Sequence, residues 1–118
     1  MAFLDHRPLF FGHTLLIPRL HFETLPDLPG ELVSPLFTAA QLLSRAVEAA
    51  MKAQGTFIAI NNKVSQSVPH LHVHVIPRSR KDGMRGFFWP RHQYKDDAAT
   101  AEVQEAIVAA VRDIKGRS

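Results

Sequence analysis

The chain has 118 residues, 46% of them apolar and 21% charged, the balance of one globular domain with a core and not of a disordered chain. Cysteine is absent, which excludes disulfides and thiolate metal ligands, and the apolar runs are too short and interrupted to suggest a membrane span. Asp5 and His6 precede any sizeable apolar run, so no signal peptide is expected; with a net charge of +3, the sequence reads as a cytoplasmic protein with anionic partners.

Residues 2 to 5 read as a short strand, followed through Arg7-Pro8 and Gly12 by a second strand at about residues 13 to 17, which Pro18 stops. Pro26, Pro29 and Gly30 mark an irregular stretch before a helix expected to begin between residues 31 and 35, with Pro35 tolerated in its first turn. Leu36, Ala40, Leu43, Val47 and Met51 then recur at helical spacing as a core face, and Gly55 is expected to cap the end. Residues 56 to 60 form a strand of β-branched and aromatic residues, and the polar segment 61 to 67 is short enough to return the chain antiparallel. After the next strand, at residues 70 to 76, comes a loop over 79 to 94. A helix over residues 97 to 115 follows, with Asp97 as its N-cap, a stripe of Val103, Ile107, Val111 and Ile114, and Gly116 as its end. Strands and helices in this order make an α+β domain with an antiparallel sheet and two main helices, one domain over residues 1 to 118.

The chemistry concentrates in the strand at 70 to 76. His70, His72 and His74 alternate with Leu71, Val73 and Val75, so an extended backbone places three imidazoles on one face and three apolar side chains on the other, with Pro77 expected to end the strand. Imidazole titrates near neutral pH, so such a row can combine a nucleophile, a proton donor and an anion contact. A zinc site and a polar strand face without chemistry are the other readings. The outer β-carbons of a straight five-residue run lie roughly 13 Å apart, too far to share one ion, so a metal would need ligands from elsewhere. The remaining imidazoles are His6, His13, His21 and His92.

Six basic residues, Arg78, Arg80, Lys81, Arg85, Arg91 and Lys95, fall within 18 positions after the histidines. They would attract a small polyphosphate, or form a solvated loop. Phe87, Phe88 and Trp89 offer stacking surfaces for a nucleic acid, for which a single short cluster is weak support.

The run Gln66-Ser67-Val68-Pro69-His70-Leu71-His72-Val73-His74-Val75-Ile76-Pro77-Arg78 resembles the signature of the histidine triad (HIT) family of nucleotide hydrolases and transferases. Ala2-Phe3-Leu4-Asp5, with Gly12-His13-Thr14-Leu15-Leu16-Ile17-Pro18-Arg19, resembles the family's first strand pair. The resemblance implies a sheet of about five antiparallel strands and a homodimer. It also implies cleavage at the α-phosphate of a nucleoside phosphoramidate or dinucleoside polyphosphate. His72 would attack phosphorus to form a covalent nucleotidyl-histidine, His70 and His74 would orient it and bond phosphate oxygens, and Gln66 and Ser67 would meet the phosphate and leaving group. Asp5 would hold ribose hydroxyls, His13 would lie beside the triad or the phosphate, and Asn61 or Asn62 would contact phosphate. No cofactor is required, Mg²⁺ being an option only with a polyphosphate. Relatives with zinc hold it with cysteines, so no metal is expected here. A nucleotide-binding module with little catalysis, or a histidine metal site, is the alternative.

Overall fold

Leu71, Val73 and Val75 have no solvent exposure, and the strand that carries the latter two is the centre of the sheet. The computed structural model describes residues 1 to 84 and 91 to 117. Two units emerge, Met1–Met84 and Arg85–Ser118, each described by itself. Of the expected 79 to 94 loop, Arg85, Phe87, Phe88, Trp89 and Pro90 lie outside the described residues.

In the first unit the order is β1 (Ala2–Leu4), β2 (Thr14–Leu16), a 3₁₀ turn (Leu25–Asp27), α1 (Gly30–Ala50), β3 (Gly55–Ala59) and β4 (Val73–Arg78). The strands form one antiparallel sheet in the order β1-β2-β4-β3, four strands among the described residues where five were expected. Leu15 and Ala59 both pair with His74, while Thr14 and Ile58 pair with Val75 and Leu16 pairs with Val73. Alternation therefore puts Leu16, Val73 and Val75 on one face and His74 on the other. The first face meets Leu36, Ala40 and Val47 of α1, with Leu28 and Leu71 completing the buried cluster. Burying each such Val or Leu stabilises the fold by roughly 1.5–3 kcal/mol.

Several expected boundaries move, each for a local reason. Pro77 does not end β4, which continues to Arg78 with Thr56 opposite Pro77. Pairing with β2 stops at Val75, so the missing proline donor forfeits no ladder bond on that side. Helix α1 starts at Gly30 and ends without Gly55, which belongs to β3 opposite Arg78. Its C-cap is Met51, followed by Lys52 in the left-handed region (φ 51°), and the Ala53 N–H donates to the Glu48 carbonyl at 3.0 Å. That is a Schellman closure with lysine where glycine is the usual choice.

Two further features place the site. Gly12 has φ 98°, a conformation that favours glycine just before β2, and a β-carbon there would lie 2.5 Å from Met51 Cγ and have to displace that side chain. The buried Thr24 hydroxyl donates to the Asp27 carboxylate at 2.7 Å, while the same carboxylate accepts the Thr24 N–H at 3.2 Å. This fixes the turn against which residues 61 to 67 are tied.

In the second unit, α2 (Asp97–Arg117) is capped by Asp96 and not Asp97: Asp96 Oδ1 accepts the Ala99 N–H at 2.8 Å. The helix continues through Gly116. Val103, Ile107, Val111 and Ile114 are all exposed.

Candidate active site

Helical packing buries one face of β4, and the opposite face opens into a cavity of about 440 Å³ to which His70, His72 and His74 all contribute. Only His74 lies in the paired strand, which begins at Val73 and not at residue 70; His70, at a bend, and His72 sit in the lead-in before it. Phe3, Leu15, Ile17 and Val68 supply apolar walls, while Asp5, His6 and Ser67 supply polar groups.

The hydrogen bonds assign the protons. His72 Nδ1 is 2.7 Å from the His70 carbonyl. A carbonyl only accepts, so Nδ1 holds the proton and a neutral His72 keeps its lone pair on Nε2. His13 lies 61 positions from His74 yet directly behind it, buried, with Nε2 3.0 Å from His74 Nδ1. The Leu9 N–H donates to His13 Nδ1 at 3.2 Å, and that nitrogen must therefore be unprotonated. His13 in turn donates from Nε2 to His74 Nδ1, and His74 is left with an N–H at Nε2. The rings of His72 and His74 meet edge to face at 4.9 Å and 69°. The site thus pairs an imidazole lone pair with an adjacent imidazole donor.

Burial lowers the pKa of both His13 and His74 from the usual 6.5, a drop that Asp5 opposes electrostatically in each case; His72 and His13 lower His74 further. Both rings therefore stay neutral at neutral pH. The Asp5 carboxylate accepts the Arg7 N–H through Oδ1 at 2.9 Å, and its Oδ2 stands 3.7 Å from His13 Nε2. Asp5, His13 and His74 bring one potential ligand atom each within 4.8 Å of one another. The donor chemistry does not suit an ion, because the Leu9 N–H keeps the proton of His13 on the nitrogen that would have to ligate.

The other expected residues divide. Ser67 lines the cavity. Gln66 does not: its Oε1 accepts the Lys63 N–H at 2.8 Å and its Nε2 donates to the Glu23 carbonyl at 2.6 Å. Asn62 Oδ1 accepts the Leu25 N–H at 2.8 Å, and Asn61 is exposed and outside the cavity lining. These contacts tie the 61 to 67 loop to the 3₁₀ turn, so the amides hold the wall that carries Ser67. Arg78 of the basic cluster donates to Asp82 at 2.6 and 3.1 Å and to the Met84 carbonyl at 2.7 Å. Arg78, with the Met84 and Ser79 N–H groups, depresses the Asp82 carboxyl to about 2. His21 is a residue the sequence did not single out: its Nδ1 is 3.0 Å from His70 Nδ1. Nothing in its own neighbourhood signals that role.

Comparison with known proteins agrees with this fold. The family model described as HIT domain matches residues 1–81. An uncharacterized HIT-like protein of Saccharolobus solfataricus is 34% identical over 97% of this chain and 84% of its own. The adenosine 5′-monophosphoramidase of Saccharomyces cerevisiae is 38% identical over 70% of this chain, and the match spans 52% of the yeast enzyme. Among solved structures, a HIT family protein of Bacillus subtilis superposes with a TM-score of 0.82 at 33% identity, covering 92% of this chain and 79% of that one.

Proposed function

The chain belongs to the HIT domain family, and from that premise we propose that it is a nucleotide hydrolase or transferase acting at the α-phosphorus of a nucleoside phosphoramidate. The observation that carries the reading is the His72 Nδ1–H bond to the His70 carbonyl, which turns an unprotonated Nε2 to the task of attack. The Nε2 lone pair forms the N–P bond as the bond from phosphorus to the leaving amine breaks; the amine takes a proton from solvent, and the water that attacks in the second step returns one to solvent. His74 Nε2–H is the nearby donor that meets the phosphate oxygens on which charge collects. Water then attacks phosphorus, the N–P bond breaks, and nucleoside monophosphate and free His72 result. Asp5 at the cavity wall suits ribose hydroxyls, and the apolar wall of Phe3, Leu15, Ile17 and Val68 suits a nucleobase. The yeast relative named as a monophosphoramidase supports this substrate class. The mechanism calls for no metal, and a homodimer is part of the proposal through the family.

The test is turnover of a fluorogenic adenosine phosphoramidate by the wild type and by His72→Asn, with diadenosine polyphosphates run in parallel. Loss on the order of 10³-fold or more in the variant is expected, as for removal of a nucleophile. Wild-type turnover that survives His72→Asn, or tight AMP binding with no turnover of any substrate, would overturn the assignment.

A further inference from the structure

His70 borders the nucleophile, yet both of its ring nitrogens are already engaged away from any ligand. Nε2 is 3.2 Å from the Pro18 carbonyl, and Nδ1 is 3.0 Å from His21 Nδ1, with the two rings edge to face at 4.9 Å and 71°. The carbonyl can only accept, so His70 Nε2 bears a proton. A neutral His70 then offers a lone pair at Nδ1, and His21 donates to it. The same strand-end segment reaches the triad once more, where the Phe22 carbonyl accepts the Leu71 N–H at 2.6 Å.

We propose that His21 is a positioning residue: with Pro18 it clamps the His70 ring, so that His70 serves the reaction through its backbone carbonyl and not as a phosphate ligand. This rests on the reading of His72 as the nucleophile. The His70 peptide lies ahead of the first paired residue of β4, so no strand ladder holds it. Its carbonyl nevertheless has to stay 2.7 Å from His72 Nδ1, because a proton that strays to Nε2 removes the attacking lone pair. The Leu71 N–H of that same peptide is bonded to the Phe22 carbonyl, and a ring held at both nitrogens restrains the residue from its side-chain end as well. Phosphate contacts then fall to His74 Nε2–H and Ser67, which alters the role that the family resemblance implied for His70.

The experiment compares His21→Ala with His21→Asn, whose amide nitrogen falls close to the position of Nδ1 and can donate in its place. The tautomers of His70 and His72 are read from ¹⁵N-resolved NMR of the free protein, and kcat, KM and the melting temperature are measured alongside. In His21→Ala the single Nε2–H tautomer of His70 is expected to give way to exchange, kcat to fall about tenfold, the scale of one oriented hydrogen bond, and KM to hold. His21→Asn restores both the tautomer and kcat. An unchanged His70 signal in His21→Ala overturns the clamp, as does a loss of kcat that only tracks the melting temperature and is not recovered by asparagine. The NMR signal needs no substrate, so a failure of the clamp is separable from a failure of the hydrolase reading, which the His72→Asn turnover reports.

Discussion

Leu9 contributes to the site through its main-chain N–H. Its N–H decides the tautomer of His13, which decides that of His74, so a backbone group two hydrogen bonds away from the nucleophile's neighbour sets which face of that neighbour can donate. His13→Leu is therefore expected to cost on two counts. The Leu9 N–H loses its buried acceptor, a penalty of about 1–3 kcal/mol in stability, and His74 loses the donor that orders its ring. Thermal unfolding should show the first and a fall in kcat of about tenfold or more the second. If the variant turned over substrate at the wild-type rate, His74 would not depend on this tautomer. Strand alternation holds from Val73 on and puts His74 opposite Val73 and Val75, whereas His70 and His72 reach the same cavity from the segment ahead of the strand, which spacing places inside it. His72 finds its acceptor two positions away, but the partners that fix the protons of His70 and His74 are His21 and Pro18, 49 and 52 positions from His70, and His13, 61 positions from His74, and local spacing carries no record of such pairings.

Among the elements, α1 shows best how periodicity and termini differ in legibility. Of the expected stripe, Leu36, Ala40 and Val47 are buried and Leu43 is half-buried, because a helix must cover its apolar face, whereas Met51 is exposed because the helix ends at Ala50 and leaves it at the C-cap. Its end was misplaced because Gly55 is the nearest glycine, whereas the chain turns at Lys52 and completes the Schellman bonds without one. A lysine held at φ 51° carries a conformational cost that glycine avoids. Lys52→Gly should accordingly stabilise the protein by roughly 0.5–1 kcal/mol, visible as a higher denaturant midpoint with an unchanged slope. Destabilisation would mean that the lysine side chain does more there than bear the turn. Packing decides the opposite case of Ala40, which is 2% exposed against the sheet. Ala40→Leu should overfill that contact and cost about 1–3 kcal/mol in the same measurement.

For the molecule as a whole, buried His13 and half-buried His74 make stability a function of pH. The folded pKa values of His13 and His74 lie below 6.5, whereas the unfolded chain titrates at about that value, so between the two the unfolded state binds more protons. Stability contributed by these groups is complete above pH 6.5, declines as the pH falls through the lowered values, and levels off beneath them. Melting curves between pH 7.5 and 4.5 should follow that course, with a shallower fall in His13→Leu. A melting temperature that stays constant or rises on acidification would contradict it. No described helix is long and apolar enough to cross a membrane.

The amino-acid order alone determined the α+β class, the antiparallel pairing around the triad strand, the buried stripe of α1 and the family, because each depends on short-range periodicity or on a contiguous motif. Tertiary structure alone decided which nitrogen of each imidazole holds a proton, that Gln66 and Asn62 brace a loop where phosphate contacts were expected, and that Pro77 can stand inside a strand. Proton positions and hydrogen-bond partners are set by groups that meet only when distant segments fold together, and burial lowers a pKa only after water has been excluded.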